Sequence, residues 1–279
     1  MNINKQNELL INYDRITHLV NFVKSFGEGY IINFFLGEDR CNLLIEKKLL
    51  SAICYEKCVF ILHKDHDFFH LYYICSNEKI LSDSLKILTN DYPDHTFLVD
   101  IVGIKPKVQK TSIIFTQQYF NKYTLLYRMS RIKNLDEPQN VDSRIAYAAS
   151  EHAVQIHDLF ERYFDKYSEQ IPLLEEIAKF IDTTNVLIIM EQEKITGFVI
   201  FEITGMTSYL RYWFVVPEYR DKKVGSILLR RFFHESRNTK RQLFWVLASN
   251  ENAIVKYKHY GFEVETMIDQ VMIKYPLKS

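Results

Sequence analysis

Glycine and proline are scarce in this sequence, with 8 and 6 copies respectively among 279 residues. Disordered and low-complexity chains are usually rich in such residues, so their scarcity argues that the chain folds. Hydrophobic residues make up 47% of the sequence. This composition supplies enough apolar material for one large domain or for two domains of ordinary size.

The sequence also lacks an excess of charge, because Lys and Arg balance Asp and Glu at a formal net charge of +0. A protein that binds nucleic acid over much of its surface would be basic, so nucleic acid is not an expected partner. No apolar run approaches the roughly 18 residues that a membrane span requires, and residues 1–10 lack the features of a signal peptide. We therefore expect a cytoplasmic protein with no membrane partner.

Cysteine is equally scarce, and all four copies lie in the first third of the chain: Cys41, Cys54, Cys58 and Cys75. A secreted, disulfide-stabilised domain is usually shorter and richer in cysteine, which indicates a reducing compartment here. Cys54 and Cys58 are followed by His63, His66 and His70, but their spacing matches no strong zinc-binding pattern. We predict buried cysteines and surface histidines in this segment, and no metal site.

Helix and strand patterns alternate along both halves of the chain. In the second half, helices are predicted at 151–165, 172–181, 224–236 and 250–260, and strands at 144–149, 186–192, 195–204, 208–216, 242–249 and 269–275. In the first half, helices are predicted at 14–26, 41–53 and 77–90, and strands at 58–64, 69–75, 96–103 and 123–130. The polar segment 133–143 contains Pro138 and predicts a linker between domains at 1–135 and 142–279.

A strand that ends near Val216 runs through a short basic loop directly into a helix. Between Pro217 and Arg241 the sequence has eight Lys or Arg residues and three Asp or Glu residues, an excess of +5 in a chain that sums to zero. A helix N-terminus presents unpaired N–H groups and the positive end of its dipole to an anion. Gly225 would let a ligand approach the backbone closely. These residues alone suit either a polyphosphate site or an ordinary solvated helix start.

Two stretches resemble motifs of the GCN5-related N-acetyltransferase (GNAT) superfamily. The first is the loop and helix start Arg220-x-x-Lys223-x-Gly225, in which Lys223 takes the place of the family's first glycine. The second is the segment 242–262, whose matching residues are Asn250, Ala253, Tyr257, Gly261 and Phe262. The distance between the two motifs also suits the family, and the resemblance covers about residues 142–279.

The resemblance implies an α/β fold with a mixed, mostly antiparallel sheet flanked by helices, and acetyl-CoA as the cosubstrate. The strand backbone at Phe214 and Val216 would pair with the pantetheine arm, and Asn250 would contact that arm near the thiol. The cofactor-binding residues implied are Phe214, Val215, Val216, Arg220, Asp221, Lys222, Lys223, Val224, Gly225, Ser226 and Asn250. Tyr257 would protonate the leaving thiolate, since the reference pKa of a phenol, about 10, lies above that of a thiol, about 8.5.

The catalytic base is less evident from the sequence. A protonated amine must lose a proton before it attacks a thioester. The strand at 208–216 carries no acid, so Glu202 on the preceding strand is the candidate and a water chain is the alternative. Arg211 and Trp213 are predicted to share one strand face, which would suit an acidic or aromatic acceptor. The loop 165–171 lies where the family shapes its acceptor site.

The first half of the chain follows a similar order of elements but has no equivalent of the basic loop. We interpret it as a degenerate second GNAT-like domain or as an unrelated α/β domain. The leading prediction for function is an enzyme that acetylates a primary amine on a small molecule or a protein. The alternatives are a tandem aminoacyl or longer-chain acyl transferase and a non-catalytic sensor that binds CoA.

Overall fold

The computed structural model describes residues 6–27, 29–132 and 142–276. Its backbone contacts divide the chain into two compact units, residues 1–126 with 266–279 and residues 127–265. The predicted linker at 133–143 lies almost wholly outside the described residues. The domain boundaries predicted from the sequence assign the whole C-terminal strand to the second domain, whereas most of this strand belongs to the first unit.

Strands and helices alternate in both units. The first unit contains, in chain order, β1 (Gln6–Leu9), α1 (Tyr13–Lys24), β2 (Ile31–Ile32), α2 (Glu38–Glu46), β3 (Leu50–Tyr55), β4 (Cys58–Asp65), β5 (Phe68–Cys75), α3 (Glu78–Asp91), β6 (Phe97–Ile104), α4 (Lys105–Thr116) and the start of β7 (Asn121–Ile132). The second unit continues through β8 (Ile145–Tyr147), α5 (Ala153–Tyr163), α6 (Leu174–Asp182), β9 (Val186–Glu191), β10 (Lys194–Thr204), β11 (Thr207–Val215), α7 (Val224–Glu235), β12 (Arg241–Leu247), α8 (Glu251–His259) and the start of β13 (Glu263–Lys274).

The sheet of the first unit is completed by the end of the chain. Its strands are ordered β1-β3-β4-β5-β6-β13. β13 pairs antiparallel along all of β6, from Met267 opposite Ile104 to Lys274 opposite Phe97. This pairing is the reason that residues 266–279 belong to the first unit.

Two features of the first unit differ from the sequence-based predictions. The prediction of one helix over 41–53 is wrong, because α2 ends at Glu46 and Leu50–Tyr55 forms β3. β3 is buried on both faces, so it lacks the alternation that marks a half-exposed strand. Cys58 and Cys75 face each other across β4 and β5 and form a disulfide, contrary to the expectation of reduced cysteines.

The second unit places helices on both faces of its sheet, which is ordered β7-β12-β11-β10-β9-β8. Val199 and Phe201 of β10 share one buried cluster with α7, and Phe198 and Ile200 share another with α5 and α6. The two sets alternate along β10, as in a strand that is buried on both sides. Pairing is antiparallel from β8 to β11 and parallel between β11 and β12. This mixed, mostly antiparallel sheet flanked by helices confirms the predicted fold class.

Candidate active site

The parallel strands β11 and β12 separate part of the way along their length. Their register extends from Thr207 opposite Arg241 to Tyr209 opposite Leu243 and stops there. β11 nevertheless continues to Val215. Backbone groups on an unpaired strand edge bond to water or to another chain-like partner. The separation therefore creates a slot with a polar backbone wall, which we call the β11–β12 slot.

The backbone of Trp213 and Val215 faces this slot. The N–H of Val216 donates to the carbonyl of Thr196 on β10 at 2.9 Å, so Val216 and, two residues earlier, Phe214 direct their backbone groups toward β10. In an antiparallel pair the intervening residues direct theirs to the opposite edge. The backbone groups open to the slot are thus those of Trp213 and Val215, whereas those of Phe214 and Val216, for which the resemblance implies contact with a pantetheine arm, are directed toward β10.

The slot leads to the N-terminus of α7. Pro217–Lys222 forms a short 3-10 turn, and Lys223 precedes the helix with a φ of 64°, in the left-handed region. No side chain in the described part of the chain caps this helix, which leaves the first N–H groups, those of Val224, Gly225 and Ser226, without a helical acceptor. Such a terminus is a general binding site for phosphate.

The charged side chains of the loop are exposed beside this terminus, and they are Glu218, Arg220, Asp221, Lys222 and Lys223. The ammonium group of Lys222 lies 4.2 Å from the centroid of the Tyr219 ring, so this lysine packs along the loop itself. The left-handed φ of Lys223 explains why glycine is the family's residue at this position. The structure therefore brings the predicted loop residues together around free backbone N–H groups.

Two glycines allow α7 to lie close to the sheet. A Cβ atom on Gly225 would stand 3.2 Å from Trp213 Cζ2 and 3.3 Å from Val215 Cγ2, so the open side of this glycine faces β11. A Cβ atom on Gly197 would stand 2.8 Å from Val224 Cγ1. Gly225 thus allows close packing of α7 against β11, and Gly197 is a packing residue that the sequence did not single out.

Tyr257 of α8 packs its ring beside the slot. Its ring centroid lies 5.5 Å from that of Trp213 and 4.4 Å from that of Phe244. Burial raises the pKa of the Tyr257 phenol above its ordinary value, so the hydroxyl is protonated at neutral pH. Within the described ranges this hydroxyl has no hydrogen-bond partner, and the buried indole N–H of Trp213 has none either.

Asn250 is the N-cap of α8, the helix that contains Tyr257. The side-chain oxygen of Asn250 accepts a hydrogen bond from the N–H of Ala253 at 3.2 Å. This residue is exposed, so its amide NH₂ faces solvent while the oxygen holds the helix start. The structure therefore gives Asn250 a defined local role in addition to the predicted contact with a cofactor arm.

A β-bulge at Arg211 decides which side chains of β11 face which helices. The register with β10 shifts there, since Ile200 is opposite Tyr212 whereas Phe201 is opposite Leu210. Arg211 is therefore the extra residue, and the alternation of side chains along β11 changes at this point. Bulges of this kind often lie next to active sites, where they redirect side chains.

The bulge places Arg211 and Trp213 on opposite faces of the sheet. Arg211 forms an ion pair with Glu202, and its guanidinium lies 4.1 Å from the centroid of the Tyr209 ring. Trp213 instead belongs to the cluster around α7 and Tyr257. The prediction that Arg211 and Trp213 share a strand face is wrong, because the bulge interrupts the alternation on which it depended.

The loop 165–171 contains an acid that sequence analysis missed. Glu169 accepts a hydrogen bond from the backbone N–H of Asp165 at 3.0 Å. The hydroxyl of Tyr212 donates to the carbonyl of Gln170 and ties this loop to β11. Burial raises the pKa of the Glu169 carboxyl, which makes it a stronger proton acceptor near neutral pH. A polar loop gives no sequence signal that one of its acids is half-buried.

Comparison with known families agrees with this geometry. Residues 182–264 match the family model of the acetyltransferase (GNAT) domain, and this range includes the β11–β12 slot, the basic loop and Tyr257. Residues 182–264 in the second half of the chain therefore resemble an acetyltransferase (GNAT) domain, as the sequence motifs predicted. No sequence among curated proteins matches the chain.

Solved structures of GNAT proteins share the fold along nearly the whole chain. A GCN5-related N-acetyltransferase from Sphaerobacter thermophilus is 11% identical with a TM-score of 0.64, and the match covers 99% of this chain and 96% of that one. A tandem GNAT protein from the clavulanic acid biosynthesis pathway is 11% identical with a TM-score of 0.59, covering 99% and 100%. An acetyltransferase of the GNAT family from Colwellia psychrerythraea is 10% identical with a TM-score of 0.55, covering 97% and 99%. At these identities the likeness establishes the fold.

Within the described residues, no helix is both long enough and apolar enough to cross a lipid bilayer.

Proposed function

We propose that the second unit transfers an acetyl group from acetyl-CoA to a primary amine. The observation that carries this proposal is the β11–β12 slot, which leads to the uncapped N-terminus of α7. A pantetheine arm has amide groups that can hydrogen-bond to the open backbone of Trp213 and Val215, in the manner of an added strand. The pyrophosphate would then meet the first N–H groups of α7, with Arg220 adding positive charge.

Tyr257 has the properties that the leaving group requires. In direct transfer the amine nitrogen bonds to the thioester carbonyl carbon, and the carbon–sulfur bond breaks. The departing thiolate takes the proton of the Tyr257 hydroxyl, which is protonated at neutral pH and free of other partners in the described residues. The products are an amide and the CoA thiol. The acceptor ammonium loses one proton to a base before the attack, and the second proton lost by its nitrogen after the attack restores the Tyr257 hydroxyl.

Glu202 and Glu169 are the two candidates for that base. Arg211 holds the Glu202 carboxylate in an ion pair, which engages one of its two oxygens. The raised pKa of Glu169 suits it better to accept a proton near neutral pH. We expect Glu169→Gln to flatten the acidic limb of the pH–rate profile and Glu202→Gln to preserve it. The reverse result would assign the base to Glu202.

Calorimetric titration with acetyl-CoA tests the cosubstrate directly. We expect the double substitution Arg220→Ala, Lys223→Ala to weaken binding at least about tenfold, because charge-assisted contacts to phosphate are lost. Arg230→Ala is the matched control, since Arg230 is exposed further along α7. Equal affinity in all three proteins would place the pyrophosphate elsewhere. Tight binding without acetylation of any amine in a broad panel would favour a CoA-binding sensor.

The first unit repeats the arrangement of strands, but there β2 fills the slot that corresponds to the β11–β12 slot. β5 and β6 pair in parallel at Phe69 opposite Phe97 and at His70 opposite Leu98. Beyond that point β2 lies against β5, with Ile31 opposite Cys75. The two strands thus separate as β11 and β12 do, and the open edge is filled.

Asn33 directly follows β2, and together they fill the slot of the first unit; we call residues 31–33 the plug. Its side-chain NH₂ donates to the carbonyls of Leu71 on β5 at 3.3 Å and Asp100 on β6 at 3.2 Å. Its backbone N–H donates to the carbonyl of Tyr73 at 3.1 Å, and its side-chain oxygen accepts from the Tyr73 N–H at 2.5 Å. Tyr73 lies opposite Phe60 in the first unit, just as Trp213 lies opposite Val199 in the second. The backbone groups of Tyr73 are therefore hydrogen-bonded to Asn33, whereas the equivalent groups of Trp213 are open to the slot.

The helix of the first unit that corresponds to α7 is also closed to anions. Asn77 is the N-cap of α3, and its side-chain oxygen accepts from the N–H of Ile80 at 3.0 Å. A filled slot and a capped helix support the interpretation of the first unit as a GNAT-like domain that does not bind CoA.

A further inference from the structure

The hairpin of β4 and β5 brings three metal-binding side chains together in the first unit. His63 lies opposite His70 in antiparallel register. Asp65 follows His63 by two residues and therefore points to the same face of the sheet. One ligand atom from each of the three side chains lies within 4.8 Å of the other two. A single hairpin thus presents two imidazoles and one carboxylate to a common point.

Both histidines are buried and incompletely hydrogen-bonded. Their exposed fractions are 4% for His63 and 3% for His70, contrary to the prediction of surface histidines. Their rings stack with centroids 5.4 Å apart. Within the described residues, the Nδ1 atom of each ring is buried without a hydrogen-bond partner. Buried polar atoms are nearly always paired, so the rest of the described protein leaves the hydrogen-bonding capacity of both imidazoles partly unused.

The orientation of the Asp65 carboxylate suits a cation. One Asp65 oxygen lies 2.8 Å from His66 Nδ1, which orients the carboxylate. Its other oxygen lies 3.2 Å from His70 Nε2, a separation that two ligands of one ion also show.

We propose that His63, Asp65 and His70 bind one divalent transition-metal ion of the Zn²⁺ class. Two imidazoles with one carboxylate suit Zn²⁺, Co²⁺ or Ni²⁺ rather than Mg²⁺ or Ca²⁺, which prefer oxygen ligands. Three protein ligands leave at least one position for water or another small ligand. The site lies in the first unit and is independent of the acetyl-CoA proposal.

Titration of the full chain with Co²⁺ and Zn²⁺ after treatment with a chelator tests the proposal. We expect one ion per chain by calorimetry, visible absorption of the bound Co²⁺, and a rise in Tm with Zn²⁺, because a ligand that binds only the folded state stabilises it. Asp65→Asn and His70→Gln should each weaken Zn²⁺ binding by tenfold or more. His18→Ala, which removes an exposed histidine of α1, should bind like the unchanged protein.

Two results would overturn the proposal. The first is Zn²⁺ affinity and a Tm rise in Asp65→Asn equal to those of the unchanged protein, since ions bound elsewhere on the surface would then account for the signal. The second is the absence of a one-to-one isotherm in the unchanged chain. Circular dichroism without metal shows whether His70→Gln folds. If it does not, Asp65→Asn decides, because Asp65 is partly exposed and its amide keeps a similar shape.

Discussion

At the scale of single residues, Lys223 combines a left-handed backbone conformation with a positive charge, and substitutions can separate these two effects. Its φ of 64° costs a residue with a side chain about 1 kcal/mol, a cost that glycine avoids. We expect Lys223→Gly to be more stable to urea than Lys223→Ala by about 0.5–1 kcal/mol. Both variants lose the charge, so they should bind acetyl-CoA alike. Equal stability of the two variants would contradict the strained backbone.

Tyr257→Phe tests the acid role without removing the ring. We expect kcat to fall by about 100-fold or more, with little change in KM for acetyl-CoA, because the packing against Trp213 is retained. Tyr260→Phe on the same segment is the control and should leave kcat unchanged. A Tyr257→Phe enzyme with full turnover would mean that water or another group protonates the thiolate.

The Tyr257 phenol also gives a signed expectation for stability at high pH. Its folded pKa lies above the unfolded value of about 10, so the folded state retains a proton that the unfolded chain releases. The contribution of this group to stability is therefore complete below pH 10 and is lost as the pH rises beyond it. Urea denaturation from pH 9 to 11 should show a shallower loss of stability in Tyr257→Phe.

Residues that carry a motif were predictable, and residues whose role depends on burial were not. The positions of Arg220 in the loop before α7, of Asn250 at the N-cap of α8 and of Tyr257 within α8 follow from spacing along the chain. Glu169 and Gly197 matter because of what packs around them, and neither has a neighbour in sequence that marks it. Local patterns encode loops and helix starts, whereas burial depends on segments that are distant in the chain.

At the scale of elements, the contact between α7 and β10 depends on the absence of a side chain at Gly197. A Cβ atom there would stand 2.8 Å from Val224 Cγ1 and would force the helix away from the strand. We expect Gly197→Ala to destabilise the protein by about 1–3 kcal/mol in thermal or chemical denaturation. At Gly103 the closest atom to a new Cβ would be 3.6 Å away, so Gly103→Ala should be close to neutral.

The elements that sequence periodicity identified best are amphipathic helices such as α5 and α6 (Ala153–Tyr163 and Leu174–Asp182). Periodicity failed where burial is uniform, as in β3, and gave no prediction for α4, whose apolar and polar residues are not segregated to opposite faces. Sequence periodicity also missed the bulge at Arg211, because one extra residue leaves the amino-acid composition of the strand like that of any other strand. Such features are set by the pairing of one strand with another.

At the scale of the whole molecule, we predict one acetyl-CoA site per chain, although the chain has two GNAT-like units. Within the described residues, only the second unit has an open slot that leads to an uncapped helix N-terminus. We expect calorimetry to give one acetyl-CoA per chain, and Val215→Pro, which disturbs the slot wall, to abolish binding. Asn33→Ala removes part of the plug in the first unit and should leave the stoichiometry at one. Two equal sites in the unchanged chain would refute this division of roles.

The repeated order of elements was visible in the sequence, but the exchange of strands between its halves was not. A strand pattern at 269–275 indicates that a strand exists there and does not indicate its partner. The structure pairs it with β6, far earlier in the chain. Long-range pairing of this kind is specified by complementary packing, which a single sequence does not display.

The pairing of β13 with β6 has a consequence for how the protein is made. A ribosome releases β6 long before β13, and the entire second unit is synthesised between them. The first unit therefore waits with one sheet edge exposed until the last strand emerges, although N-terminal domains usually fold first during translation. Such an edge is a site for aggregation, so nascent chains halted before β13 should recruit chaperones more strongly than complete ones.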